Sequence, residues 1–323
     1  MKKIKTIKFF YIFIFFSLVS SLIIAENKIK PLDVKKIADG VYVHYGKHEN
    51  IYEGNIGDIA NLGFIIGDES IAVVDTGGSF IVGEALRLAI RQISDKPIKY
   101  VINTHVHQDH IFGNNAFVPE GALVYGHYKL KQALQERGSL YIAQINQIGD
   151  KAKGTRIIFP HKIVAETSKD ESKKLSNEIT IDLGNRKLLL TSHEVAHTYA
   201  DVSVYDLKTK TLFVGDLVQD ERLPTMDGLA KNWIKVLNQI EKINFDIMVP
   251  GHGKIQIDNT ALNKTKKYLQ ILYDEVIEAL KNDIPIEEGL KTIAQREKNN
   301  WVLFDRVNPG NIVRTFMRYE WEY

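Results

Sequence analysis

The run Thr104-His105-Val106-His107-Gln108-Asp109-His110 follows directly on an apolar segment, Lys99 to Asn103. That segment reads as a strand, so the run projects from a strand end into a loop, where functional side chains gather. In extended backbone His105 and His107 point the same way and can share one cation. Asp109 and His110, past the bend, can reach a second. With 10 histidines in 323 residues, a chance match at four such positions is on the order of one in a thousand or rarer. A solvated loop would gain nothing by crowding imidazoles and a carboxylate that oppose one another's protonation.

The chain has no cysteine. Disulfides, thiolate ligands and a cysteine nucleophile are thereby excluded, and any metal must be held by His, Asp or Glu. Downstream candidates are His197 in Ala-His-Thr, Asp216 in Phe-Val-Gly-Asp and His252 in Pro-Gly-His-Gly. His193 competes with His197 for the same role. Asp75, in Val-Val-Asp-Thr-Gly, closes another strand. It is read as orienting the loop or a ligating histidine from behind. His44, His48, His127 and His161 show no ligand spacing and are read as ordinary surface or core histidines.

Around these motifs the pattern alternates between sheet and helix. Val41 to Tyr45, Leu62 to Ile66 and Ile71 to Val74 read as strands, followed by a helix from Gly78 to Ile93. Tyr128 to Ile148 predicts a helix interrupted near Gly138, and Lys151 to Ser176 a charged connector without fixed structure. Ile179–Leu183 with Lys187–Thr191, and Val202–Asp206 with Thr211–Val214, suggest two hairpins. A helix near Asn232 to Ile243 precedes a strand at Asp246 to Val249. Thr260 to Leu280 then sets Leu262, Tyr268, Leu269, Leu272 and Val276 on one helical face. Strands at the centre with helices outside is the α/β architecture this order implies.

Apolar residues make up 44% of the chain, enough for a substantial core, and the formal charge of +2 gives no reason to expect a nucleic-acid partner. Lys2, Lys3, Lys5 and Lys8 precede an apolar run from Phe9 to Ile24, with Ala25 before Glu26. This predicts a signal peptide over 1–25, a single folded domain over 26–323, and an exported, periplasmic protein. Membrane contact is expected only through that leader, if it stays uncleaved.

The HxHxDH run together with Asp75, His197, Asp216 and His252, in this order, resembles the metallo-β-lactamase superfamily. The resemblance implies an αββα sandwich, two central mixed sheets flanked by helices, with the site at the sheet edges. It also implies two Zn2+ ions: His105, His107 and His197 on the first, Asp109, His110 and His252 on the second, and Asp216 bridging. His197 is preferred over His193 because Ala-His-Thr followed by Asp201 fits the family pattern, which leaves His193 behind the ligands or purely structural.

Gly57-Asp58-Ile59-Ala60-Asn61, Thr76-Gly77-Gly78, the stretch through Arg222, Pro224, Asp227 and Gly228, Asn311, and Glu320-Trp321-Glu322 resemble the exported zinc metallohydrolases associated with quinoprotein and sulfur-oxidation systems. On that resemblance Asp58, Asn61, Arg222 and Asp227 are candidates for a substrate-facing lip.

The activity implied is hydrolysis of a small ester, thioester or amide by a hydroxide bridging two zinc ions, with Asp109 or Asp216 taking the proton. A true β-lactamase is one alternative. A non-hydrolytic metal-binding or redox accessory of a periplasmic dehydrogenase system is the other.

Overall fold

The computed structural model describes residues 29–165 and 176–322. The leader predicted over 1–25 lies outside the described residues. Among those described, no helix is long and apolar enough to cross a membrane.

Two sheets form the centre. The first contains β1 (Lys35–Ala38), β2 (Val41–His44), β3 (Leu62–Ile66), β4 (Ile71–Val74), β5 (Ile98–Ile102), β6 (Leu123–His127) and β7 (Lys162–Val164), side by side in chain order. Pairing is antiparallel up to β4 and parallel from β4 to β7. The second contains β8 (Glu178–Asp182), β9 (Lys187–Ser192), β10 (Val202–Asp206), β11 (Thr211–Gln219) and β12 (Ile247–His252). The four strands from β8 to β11 form an antiparallel meander, and β12 runs parallel to β11. Both expected hairpins are present.

Alternation of side chains divides the core into layers. On β4, Ala72 and Val74 face Phe213, Val204 and Leu190 of the second sheet, whereas Ile71 and Val73 turn outward onto Val82, Leu86 and Ile90 of α1 (Phe80–Ile93). On β11, Phe213 faces inward while Leu212 and Val214 meet the other helical layer. That layer is built from α4 (Ala230–Ile240), α5 (Thr260–Lys281), α6 (Ile286–Thr292) and α7 (Phe304–Tyr319). The predicted face of α5, from Leu262 to Val276, is buried there. Each large side chain so buried contributes about 1.5–3 kcal/mol. The architecture is the expected helix–sheet–sheet–helix sandwich.

Two further helices complete the frame: the single turn α2 (Gln108–Ile111) and the longer α3 (Leu130–Ile145). The predicted interruption of α3 at Gly138 is absent. A side chain there would meet Ile157 at 2.3 Å, so glycine serves close packing rather than a break. The connector expected to lack structure contains β7, whose Val164 is buried between the sheets. One inward apolar residue on a strand this short leaves little periodicity to read. Strands β1 and β6 and helices α6 and α7 likewise have no counterpart in the sequence reading.

Candidate metal centre

The loop edge where the two sheets meet carries the motif residues. Beyond β5 the chain bends through Thr104 to Val106, is extended at His107 (φ −66°, ψ 146°) and turns at Gln108 into α2. The turn at Gln108 separates His105 and His107 from Asp109 and His110. His197 comes from the β9–β10 loop, Asp216 from within β11, and His252 from the end of β12. Their donor atoms form two groups, His105, His107, His197 and Asp216 in one and Asp109, His110 and His252 in the other, each lying within 4.8 Å.

Asp216 joins the groups through its two oxygens. Oδ2 lies 3.8 Å from His105 Nε2 and 3.5 Å from His197 Nε2. Oδ1 lies 3.2 Å from His110 Nε2 and 3.4 Å from His252 Nε2. Asp109 Oδ2 closes the second group at 3.6 Å from His110 Nε2 and 3.4 Å from His252 Nε2. The main chain of β12 makes this approach possible. A Cβ on Gly251 would sit 1.9 Å from Asp216 Oδ1, so only glycine fits.

Hydrogen bonds behind the rings fix which nitrogen faces inward. His110 Nδ1 donates to Asp75 Oδ2 at 2.8 Å, His252 Nδ1 to the Ile59 carbonyl at 2.7 Å, and His107 Nε2 to Asp227 Oδ2 at 2.8 Å. Thr104 Oγ1 gives its single proton to Asp75 Oδ2, so at 3.0 Å from His105 Nδ1 it accepts. Four imidazoles thus have their second nitrogen directed at the centre, that of His107 lying 3.0 Å from His197 Nε2. His105 Nε2, His110 Nε2 and Asp216 Oδ1 are buried without any hydrogen-bond partner. Orphaned lone pairs of this kind, converging in a cysteine-free N/O donor set, fit divalent cations.

Electrostatics agree. Burial, reinforced by His110, drives His105 well below the ordinary imidazole range, and burial takes His197 down to about 3. Both rings are therefore neutral ligands at pH 7. Burial opposes ionisation of Asp216, but the surrounding histidines, His252 and His110 first, outweigh it and hold the carboxyl well below its usual range. His110 moves up against the pull of burial because Asp216, Asp109 and Asp75 surround it. A cation placed among these groups would relieve the same imbalance.

Residues 56–252 match the family described as the metallo-beta-lactamase superfamily. The chain belongs to the metallo-beta-lactamase superfamily. It is 23% identical over 266 residues to a linear primary-alkylsulfatase of Pseudomonas sp. (strain ATCC 19151), covering 70% of this chain and 48% of that protein. An alkyl/aryl-sulfatase of Saccharomyces cerevisiae is 32% identical over 83 residues, 25% of this chain and 13% of the other. The chain thus spans less than half the length of these curated relatives. Among solved structures, the stereoselective inverting sec-alkylsulfatase Pisa1 from Pseudomonas sp. superposes with a TM-score of 0.68 at 16% identity, covering 90% of this chain and 51% of that one. A metallo-beta-lactamase from Pontibacter korlensis gives 0.58 at 22% identity, covering 74% and 99%.

Within this metallo-beta-lactamase frame, the remaining sequence-predicted residues fall in places of their own. Asp75 touches His110 as expected, and it also accepts from the Thr104 amide at 2.8 Å. Its φ of 58° is costly for a residue with a side chain, and these bonds hold it there. His193 bonds Ser203 Oγ at 2.8 Å and touches none of the ligands, so its part is structural. Burial lowers it to about 4.

Of the four residues expected at a substrate lip, Asp58 and Asn61 point elsewhere, whereas Asp227 lines a cavity beside Val106 and Thr198. Asp58 binds His44 Nε2 at 2.6 Å. Asn61 is buried against the turn that carries His252. Asp227 holds His107 and pairs with Arg137 and with Arg314, the latter at 3.3 Å. Arg222 alone keeps a buried guanidinium nitrogen, Nη1, without a partner, and its charge is felt at Asp109. Asp58, Asn61 and Asp227 sit on loops beside ligand-bearing strands, as expected, but long-range partners claim their polar atoms.

Three contributors had no sequence signal. Gln219 Nε2 donates to Asp216 Oδ2 at 2.7 Å. Arg137 and Arg314 reach Asp227 from α3 and α7, elements far apart in the chain. Asp227 is drawn well below the usual carboxylate range, since His107, Arg137 and Arg314 together outweigh its burial. Asp227→Ala is expected to weaken metal binding or turnover by about 10–100-fold, the usual effect of losing the partner that orients a ligand. Competitive zinc titration beside steady-state kinetics measures it, and an unaltered affinity and rate would remove Asp227 from that role.

Proposed function

We propose that this chain is an exported dinuclear zinc hydrolase of small ester-type substrates. The observation that carries the reading is the shared carboxylate: Asp216 presents one oxygen to each group of imidazoles, and outward hydrogen bonds hold four of those rings with their second nitrogen inward. His105, His107 and His197 would hold one ion, Asp109, His110 and His252 the other, with Asp216 between them. Bound there, a metal pair supplies water acidified to a pKa of about 7 and an electrophile for the scissile group.

The side chains divide the remaining work. Asp109, with 10% of its side chain exposed against 4% for Asp216, is the carboxylate placed to carry a proton to solvent. Arg222 has a buried Nη1 without a hydrogen-bond partner and a positive charge felt at Asp109, which favours an anionic group on the substrate. Both curated relatives are named for sulfate-ester hydrolysis, so alkyl and aryl sulfates join carboxylic esters, thioesters and amides as substrates to try. Beside Val106 and Thr198 lies a cavity of about 260 Å³, lined also by Lys129, Arg137 and Tyr199, with room for the organic part. The basic, apolar leader supports export.

The test is the protein as purified, its metal measured by elemental analysis before zinc is supplied, then given an alkyl sulfate, an aryl sulfate, an acyl thioester and a chromogenic cephalosporin. Hydrolysis of an ester and two zinc ions per chain are expected. Two iron atoms with no hydrolysis would overturn the reading in favour of a redox accessory, and cephalosporin turnover alone would make it a β-lactamase. His107→Ala is expected to abolish hydrolysis and reduce zinc content, because it opens the first ligand group while leaving the sheets intact. Unchanged rate and zinc content in that variant would refute its assignment.

A further inference from the structure

The turn Pro250-Gly251-His252-Gly253 belongs to the second sheet, yet residues that precede β3 of the first sheet grip it. Asn61 Nδ2 donates to the Pro250 carbonyl at 2.9 Å and to the Gly253 carbonyl at 2.8 Å. The Asn61 amide donates to the Gly251 carbonyl at 2.8 Å. Asn61 Oδ1 accepts from the Gly46 amide at 3.3 Å. Two residues earlier, the Ile59 carbonyl receives the His252 Nδ1 proton. A carboxamide has two N–H donors, and both are spent on carbonyls that flank His252. With 5% of its surface exposed, Asn61 has no donor left for a substrate.

We propose that Asn61 is a positioning residue for His252: it fixes the turn so that the imidazole Nε2 stays where Asp109 Oδ2 and Asp216 Oδ1, each 3.4 Å away, can share an ion with it. The proposal rests on the metal reading given above. Gly253 holds φ at +94°, a conformation its missing Cβ permits but does not enforce. Enforcement comes from the three hydrogen bonds of Asn61. Without the carboxamide two buried carbonyls lose their partners, and the turn relaxes to find others. His252 moves with it. His105, His107 and His197 take no hydrogen bond from residues 250–253; only Asp216 of that group packs against Gly251, so the larger displacement falls on the group that contains His252.

The experiment is a stepwise zinc titration of the metal-stripped full chain against a chromophoric chelator, for wild type, Asn61→Ala and Asn61→Leu. The leucine variant keeps the side-chain shape and removes the donors, which covers the case where alanine leaves too large a void to fold. Metal-free thermal unfolding is recorded in parallel. Wild type is expected to bind two ions. In the variants one binding step persists while the other weakens by about 10–100-fold, and cobalt(II) spectra change for that step only. Wild type that binds two ions, with variants matching it at both steps or weakened equally at both, overturns the role of Asn61 alone. Wild type that takes up no divalent ion overturns the metal reading and this proposal together.

Discussion

Asp216→Ala is expected to lower kcat/KM by roughly a thousandfold or more, since a metal pair supplies several kcal/mol of transition-state stabilisation. Among the described residues, no other side chain presents one oxygen to each ligand group. His105 and His197 lie beside Oδ2, His110 and His252 beside Oδ1. Removing the carboxylate leaves five imidazoles and a single acid, so on the proposed two-metal arrangement each ion would lose a ligand. Metal per chain should fall together with turnover, in contrast to the one-sided loss expected for Asn61 variants. Full metal content with full activity in Asp216→Ala would show that the carboxylate does not join the two halves.

The largest loss of stability is expected elsewhere, at Arg186. This guanidinium is 3% exposed and binds Asp206 through Nε at 3.1 Å and Nη2 at 2.5 Å, while Nη1 donates to the Ile66 carbonyl at 2.8 Å. It therefore ties β3 to the β9–β10 pair. Arg186→Ala strands the Asp206 carboxylate in the interior, at a cost of about 3–5 kcal/mol, which urea unfolding of metal-free protein measures. A change under about 1 kcal/mol would mean that water or a rearranged neighbour compensates Asp206. Acid provides a second reading. Burial pushes the Asp206 carboxyl up, but hydrogen bonds from Arg186 and Thr209 outweigh it and hold the pKa below normal. A carboxyl depressed on folding stabilises above its unfolded pKa of about 4, and that stability is lost as pH falls through the lower folded value. The variant should lose most of this acid-dependent component.

Much of the centre was legible because local rules encode it. His105 and His107 join one group as their spacing implied, although the backbone bends at Thr104 to Val106 instead of continuing the strand, and the turn at Gln108 sends Asp109 and His110 to the other group. Layer assignment on β4 and β11 follows from the strand period of two. What was not legible depends on contacts between distant segments. Asn61, Asp58 and Asp227 stand on loops near the ligands, and nothing in their neighbourhoods says that Pro250, His44 and Arg314 will claim them. Gln219 reaches Asp216 only because of the irregular register between β11 and β12, where Gly215 pairs with Pro250 and Gln219 with His252. Gly138 looked like a helix breaker, and its use became visible only when Ile157 packed on it. Asn311 belonged to a recognisable pattern, but its role, bonding the Met226 amide and the Pro224 carbonyl, needed α7 in place.

Because the main chain at Gly251 lies against the Asp216 carboxylate, part of the reaction's mould is polypeptide backbone, which amino-acid substitution cannot readily reshape. Side chains lining the neighbouring cavity, such as Tyr199, Lys129 and Gln132, are free of that restriction. An engineer wishing to redirect the enzyme toward a new leaving group should therefore randomise that cavity and leave the β11 and β12 crossings untouched. Selectivity can then drift while the hydrolytic machinery is inherited intact.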